Sequence, residues 1–308
     1  MRIYINPHCD FSHGWKKWMK VEPALRCQYR KFVAEQIQSP ENLAAQVERA
    51  VKEGENFFVA AGGDGTVNLL LNALLGQSYH NKEILFGAMG LGSSNDFHKP
   101  FRSESLIEGI PVRLDPQDAI SSDVISVQYK NSEESLATRF CIVNSSVGIT
   151  AEANALYNSR VPSIVKAKRV SHEAAVIFSA LKTIFHYKNI PSTLTLDKES
   201  SRKVNVSNLG VFKNPHFAGS LCYDTILAAD DGYFGVNLCQ DMTKLEAIQA
   251  LARLYKRKFK GYPKTYSWLA KELFLESERP FALEMDGEVI RASQARFKIL
   301  PRHLRCCR

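Results

Sequence analysis

The sequence predicts an α/β domain built on a parallel, doubly wound sheet, followed by a second domain that is mainly antiparallel β. Three observations predict it. The first third of the chain alternates short apolar runs with helical patterns. Beyond about Pro116 the rhythm changes to short β runs joined by turn residues. At 308 residues the chain also exceeds one ordinary hydrophobic core. The boundaries expected are 1–116 for the first domain, with 293–308 returning to it, and 117–292 for the second.

Taken in order, "RIYIN" (2–6) reads as a strand that ends at Asn6-Pro7. "PENLAAQVERAVKEG" (40–54) has helical spacing and a stop glycine at Gly54. "NFFVAA" (56–61) is a continuous apolar run, the mark of a strand covered on both faces. A helix over Thr66–Leu75 follows, then "EILFGAM" (83–89) as another buried strand. In the second part "SDVISVQYK", "ATRFCIVNSSVG", "STLTLD", "RKVNVSNLGVF", "SLCYDTILAA" and "YFGVNLC" read as strands. Two helical stretches, 172–188 and 243–261, interrupt them. A strand-turn-strand at "FALEMDGEVI" and a last apolar run, "ARFKIL" (295–300), close the chain.

The composition is that of a globular protein, 45% hydrophobic and 23% charged, with a net charge of +8 that attracts polyanions. Seven scattered cysteines form no C-x-x-C pair and no zinc-ligand spacing, which predicts free thiols. The N-terminus reads as a strand and not as a secretory signal. The most apolar stretch, "NLLLNALLG", is far shorter than the roughly 18 residues needed to span a bilayer. Free thiols suit a cytoplasmic location, and if the protein works on a membrane it works from the surface, peripheral to the inner face.

Four turns carry residues that a plain turn does not require. In Gly62-Gly63-Asp64-Gly65-Thr66 the glycines bare the backbone just where a helix begins, a ready anion site. It is not a Walker A loop. Asp64 inside a phosphate loop points to Mg²⁺ or proton transfer; the alternative is a strained strand-to-helix turn with a capping residue. The second, "FGAMGLGSSNDFHKP" (86–100), ends an apolar strand in Gly87, Gly90 and Gly92 and then offers Ser93, Ser94, Asn95 and Asp96. Side by side, the two loops make a better nucleotide pocket than either alone. The third and fourth, "LAADDGYFGV" (227–236) and "LEMDGEVIRA" (283–292), are Asp-Gly hairpin signals carrying an extra acid, Asp230 beside Asp231 and Glu288 after Asp286-Gly287. A carboxylate there can hold Mg²⁺ or take a proton.

In this order and at these intervals, the GGDGT loop, the "GLGSSNDF" loop, the "DDG" turn and the "DGE" turn resemble the bacterial diacylglycerol kinase family. That family includes YegS-type lipid kinases and sphingosine kinases. The resemblance runs from "INP" at 5–7 to "KILP" at 298–301. It implies an α/β nucleotide-binding domain of the NAD kinase and phosphofructokinase kind, a β-sandwich domain that holds the lipid, and an active site in the cleft. It further implies that Gly62, Gly63, Gly65, Thr66 and Asn68 line the phosphates of ATP, helped by the Asn6-Pro7-His8 loop and by the second loop from Ser93 to Asp96. Asp64 would join the metal–water network or act as base, Glu288 beside Asp286 would be the general base, and Asp231 with the carbonyls of Ala228 and Tyr233 would hold Mg²⁺. This chain departs from the family pattern at Leu69, where glutamate is usual, and at Gly90, Ser93, Ser94 and His98 of the second loop.

The activity implied is ATP-dependent phosphorylation of diacylglycerol or a related lipid at a membrane surface. The rivals are a soluble NAD kinase-like enzyme and an inactive nucleotide- or lipid-binding relative. Two stretches, "RVPSIVKAKRVSHEA" (160–174) and "RLYKRKFKGYPK" (253–264), mix cations with apolar residues and suit anionic headgroups. No nucleic-acid motif accompanies the charge, and a homodimer is left open. No H-E-x-x-H and no G-x-S-x-G occurs, which removes the hydrolase readings.

Overall fold

The computed structural model describes residues 1–29, 31–76, 84–99, 105–131, 135–197 and 199–308. Glu83 and Pro100, at the ends of two segments named above, lie outside the described residues. The chain divides into two compact units, Met1–Val124 with Pro301–Arg308, and Ile125–Leu300. The seams fall inside continuous strands, Ile120–Asn131 and Glu288–Cys306, so no turn or linker marks them in the sequence.

The first unit holds β1 (Arg2–Ile5), α1 (Gly14–Gln28), β2 (Val33–Gln36), α2 (Pro40–Lys52), β3 (Phe57–Gly62), α3 (Asp64–Leu75), β4 (Leu85–Gly90) and β5 (Ile110–Arg113). The strands β2-β1-β3-β4 lie side by side and all parallel. Every residue of β3 is buried, as its unbroken apolar run predicts for a strand covered on both faces. The far edge of β4 is shared: β5 pairs antiparallel at Ala88 and Met89, and the C-terminal strand pairs parallel at Leu85 and Phe86 through Arg305 and Cys306. Helix α1 went unread in the sequence, because Pro23 interrupts it and its buried stripe is only Trp18, Val21 and Leu25.

The second unit is a curled antiparallel sheet. Its strands are β6 (Ile120–Asn131), β7 (Leu136–Cys141), β8 (Asn144–Gly148), β9 (Ile190–Leu196), β10 (Arg202–Phe212), β11 (Phe234–Gln240), β12 (Thr265–Ala270), β13 (Glu272–Met285) and β14 (Glu288–Cys306). Strand β10 pairs β11 on one side. Its other side is shared between β9, at Arg202–Val206, and β8, at Asn208–Phe212. One core joins residues from both ends of the sheet, Ile125, Val127 and Cys141 with Phe234, Leu238 and Ala270, so the sheet folds over on itself as a sandwich. Helices α4 (Ile149–Asn158), α5 (Pro162–Val170), α6 (His172–His186) and α7 (Lys244–Tyr255) belong to this unit. Ile184 of α6 and Ala247, Ala250 and Leu254 of α7 pack with Phe212, Tyr223 and Phe259 in a second apolar cluster.

Two strand readings need correction. "ATRFCIVNSSVG" is two strands, broken at Ile142–Val143, whose N–H groups turn to the Asp286 carboxylate instead of a ladder. "SLCYDTILAA" is a strand only at Leu221–Cys222, and Ile226 is 91% exposed. Both edges of β11 are already taken by β10 and β12, so the Asp231-Gly232 turn closes no hairpin. Helix α4 forms in a stretch to which the sequence reading assigns no element, and α5 carries much of the basic segment 160–174. All seven cysteines are free.

Candidate functional site

In the first unit the loops after β1, β3 and β4 emerge at the carboxyl ends of adjacent parallel strands, the edge where open α/β sheets bind ligands. The backbone N–H of Asn6 donates to the carbonyl of Ala61 at 2.9 Å, and its Nδ2 donates to Thr66 Oγ1 at 3.0 Å. The exposed His8 returns its N–H to Asn6 Oδ1 at 3.1 Å, which shapes the Asn6-Pro7-His8 loop.

The glycines of the two later loops serve each other first. The N–H groups of Leu91 and Gly92 both donate to the carbonyl of Gly62, at 2.9 and 3.2 Å. A Cβ on Gly92 would lie 2.4 Å from the Cα of Gly63, and one on Gly62 would lie 2.2 Å from Thr66 Oγ1. A side chain is therefore excluded at Gly92 by backbone pressed on backbone and at Gly62 by the Thr66 side chain, and α3 starts at this seam with its N-terminal N–H groups in the same space. Gly65 stands in the first turn of that helix, and Asn68 is buried further along it, accepting from Asn72 Nδ2 at 3.1 Å.

Asp64 Oδ1 accepts the backbone N–H of Phe97 at 2.8 Å, so this carboxylate ties the first loop to the second. Asn95 takes a left-handed backbone (φ 50°), and its Nδ2 donates to the carbonyls of Gly90 and Gly92 at 3.0 and 3.1 Å. Asp96 is buried and paired with Lys99 at 2.6 Å, while Ser93 is exposed and Ser94 half-buried. Lys17, which sequence reasoning missed, donates from Nζ to the carbonyls of Leu91 and Gly92 at 3.0 and 3.1 Å and pairs with Asp10 at 2.9 Å. It puts a cation beside the glycine loops; a lone lysine on an unread helix gave no signal.

Beneath the second loop lie His98 and Arg113, both buried. The Arg113 Nε donates to the carbonyl of Cys307 at 2.8 Å and Nη1 to that of Phe97 at 3.1 Å, with the guanidinium 4.2 Å over the Phe97 ring. Burial, and then the neighbouring Arg113 cation, hold His98 neutral and lower its pKa to about 3.

In the second unit the Asp286-Gly287 turn joins β13 to β14, with Met285 opposite Glu288 and both turn residues at positive φ, 46° and 99°. That is the two-residue hairpin its Asp-Gly sequence predicts. The Asp286 carboxylate, expected among the catalytic groups, is buried and accepts three backbone N–H bonds, from Ile142, Val143 and Asn144, at 2.8–3.0 Å. Through these bonds it scaffolds the turn. Glu284 adds to this clamp, accepting from Ser146 Oγ at 2.8 Å and from the N–H of Gly287 at 2.6 Å. Glu288 is exposed.

Asp231 accepts the Lys213 ammonium on Oδ1 at 2.5 Å, and the carbonyl of Tyr233 accepts the same ammonium at 2.7 Å. The N–H groups of Ala228 and Tyr233 also donate to the Asp231 carboxylate, at 3.0 and 3.1 Å. Burial raises the Asp231 pKa, but Lys213 and these two N–H groups outweigh it and leave it below the ordinary carboxylate range. The oxygens of Asp231 and Tyr233 expected to hold Mg²⁺ thus accept the Lys213 ammonium, and Ala228 meets Asp231 through its N–H. Among the described residues no cluster of three or more His, Cys, Asp or Glu could hold a metal, and no helix is long and apolar enough to cross a membrane.

The chain thus combines a parallel α/β unit with paired glycine loops at its strand ends and an antiparallel β-sandwich unit, the architecture of a diacylglycerol kinase catalytic domain with an NAD kinase-like sandwich domain. Residues 1–127 match the model of the diacylglycerol kinase catalytic domain, and residues 146–308 match that of the YegS C-terminal NAD kinase beta sandwich-like domain. A diacylglycerol kinase of Staphylococcus haemolyticus is 23% identical over 265 residues, covering 85% of this chain and 74% of its own length. A probable YegS-like lipid kinase of Shewanella frigidimarina is 22% identical over 272 residues, covering 83% and 77%. A solved structure of a putative diacylglycerol kinase from Bacillus anthracis has the same fold, with a TM-score of 0.75 at 14% identity, covering 99% of this chain and 96% of that one. The chain belongs to the diacylglycerol kinase and YegS family of lipid kinases, which are phosphotransferases.

Proposed function

We propose that this protein transfers the γ-phosphoryl group of ATP to a hydroxyl of diacylglycerol or a closely related lipid. The observation that carries the reading is the seam between Gly62-Gly63 and Gly92. There two bare loops, the N-terminus of α3 and the Lys17 ammonium converge on one strand edge. These groups suit a triphosphate: a helix N-terminus, a cation and glycines that carry no side chain. Bound ATP supplies the phosphoryl group, with Mg²⁺ as its counter-charge.

Phosphoryl transfer asks little covalent work of a protein and much positioning. Asn6 ties the loop after β1 to Thr66 of the first glycine loop, Asn95 braces its own loop at Gly90 and Gly92, and Asp64 fixes that loop through Phe97 while keeping a carboxylate at the helix start. Glu288, exposed beside a turn whose backbone Asp286 and Glu284 immobilise, is the group proposed to take the proton of the acceptor hydroxyl. Asp64 is the alternative base, and the half-buried Leu69 of α3 presents no carboxylate where the family pattern has one.

A lipid acceptor is supported by an apolar groove of about 360 Å³ in the second unit, lined by Val176, Ile177, Leu221, Ile248, Leu251 and Tyr255. Lys256 stands at its rim, and Arg257, Lys258 and Lys260 follow it in sequence. An apolar slot beside cations suits an acyl chain entering from an anionic surface.

The test is transfer of labelled γ-phosphate from Mg-ATP to micelles of diacylglycerol, monoacylglycerol, phosphatidylglycerol, ceramide or a sphingoid base, with NAD as the soluble acceptor. Label in a glycerolipid that disappears in Asp64→Asn is the expected result. Label in NAD alone, or none anywhere despite ATP binding, would overturn the reading.

A further inference from the structure

We propose that the ammonium of Lys213 permanently replaces the divalent cation of the sandwich unit, so that the Ala228–Tyr233 turn is organised without metal. A hard divalent ion at this turn would need the Asp231 carboxylate and main-chain carbonyls as its oxygen ligands. Two of those oxygens are already held by one nitrogen, Asp231 Oδ1 at 2.5 Å and the Tyr233 carbonyl at 2.7 Å from Lys213 Nζ. The other carboxylate oxygen, Oδ2, accepts the N–H of Ala228 at 3.0 Å, which fixes the carboxylate in the orientation that faces the ammonium.

The ammonium is built in from below. Lys213 follows the last residue of β10, its own N–H is pinned to the carbonyl of Val143 at 3.0 Å, and its side chain is only 4% exposed against 28% for Asp231. A lysine buried to that degree must keep its charge compensated, and this turn supplies the compensation. A second cation, Lys271 Nζ, lies 4.8 Å over the Tyr233 ring and adds positive charge beside the same residue. The site keeps the electrostatic purpose of a metal, a positive charge gathering a carboxylate and a carbonyl, and removes its dependence on ion concentration.

The inference goes beyond phosphoryl transfer and is tested without ATP or lipid, so it stands or falls independently of the acceptor. Mn²⁺ binding to the full chain is measured by electron paramagnetic resonance, and melting is followed with and without Mg²⁺, Mn²⁺ or Ca²⁺, for the wild type, Asp231→Asn and Lys213→Met. The expected wild-type result is no Mn²⁺ signal that Asp231→Asn removes, and the same response to each ion as in that variant. Lys213→Met is expected to melt lower by roughly 2–6 °C. A wild-type Mn²⁺ site, or metal-induced stabilisation, that Asp231→Asn abolishes would overturn the proposal. So would a Lys213→Met protein that melts like the wild type. If Lys213→Met does not fold, the Mn²⁺ measurement on the wild type and Asp231→Asn decides alone.

Discussion

Replacing Gly92 by alanine sets one methyl group against immovable backbone. Its carbon would lie 2.4 Å from the Cα of Gly63, 3.0 Å from the nitrogen of Gly63 and 3.0 Å from Asn95 Oδ1. Unstrained carbon contacts sit near about 3.5–4.0 Å, so the two loops must part by roughly 1 Å. The parting stretches the bonds from Leu91 and Gly92 to the Gly62 carbonyl, and it moves the N-terminus of α3 relative to the second loop. Overpacking of this size costs about 1–3 kcal/mol of stability, and misplacing positioning groups by about 1 Å costs on the order of 100-fold in catalysis. Gly63→Ala is the graded control, because its Cβ meets the Gly92 Cα at 3.2 Å, a contact that a small shift relieves. ATP affinity by titration calorimetry and kcat/KM on the lipid found by label transfer would be measured on all three proteins. The expected order is wild type, then Gly63→Ala, then Gly92→Ala far below. A Gly92→Ala protein that binds ATP within twofold of the wild type would refute the idea that the seam shapes the phosphate site.

His98 stays neutral down to about pH 3 when folded but titrates near about 6.5 when unfolded, so the unfolded chain binds the extra proton between those values and stability falls as pH drops. Denaturant unfolding should show the wild type losing about 1.4 kcal/mol per pH unit below about 6.5 relative to His98→Gln, with parallel behaviour above; parallel lines throughout would remove the buried neutral histidine. Arg113→Met should destabilise by about 3 kcal/mol and speed hydrogen exchange at Cys306–Cys307, because it unties the C-terminal strand and the second loop together; exchange as in the wild type would show that the tie is idle. Asp286→Ala leaves three backbone N–H groups without their acceptor and should cost at least about 3 kcal/mol by thermal or denaturant unfolding. Glu288→Gln should leave the melting temperature alone and cut kcat on the order of 100-fold; the reverse pattern would exchange the two roles.

Local patterning carried β1, β3 and β4 of the first sheet but not the four-residue strands β2 and β5. An unbroken apolar run such as "NFFVAA" has only one stable home, a strand with helices on both faces. Two glycines meeting a helix start declare an exposed backbone, and Asp-Gly between alternating runs declares a two-residue turn, as at Asp286-Gly287. The same signal at Asp231-Gly232 was misleading, because whether a turn closes a hairpin depends on which strands already occupy the edges.

By itself, then, the sequence determined the class of fold, the two glycine loops and the order of the acidic turns, because backbone freedom and burial period are properties of a few neighbouring residues. Only the tertiary structure decided which carboxylates are engaged and by what. Asp286 proved to be held by a segment more than 140 residues away, Asp64 by Phe97, and Asp231 by a lysine from the end of another strand. A carboxylate's chemistry is set by the groups that reach its oxygens, and those arrive through folding from parts of the chain that no local pattern links.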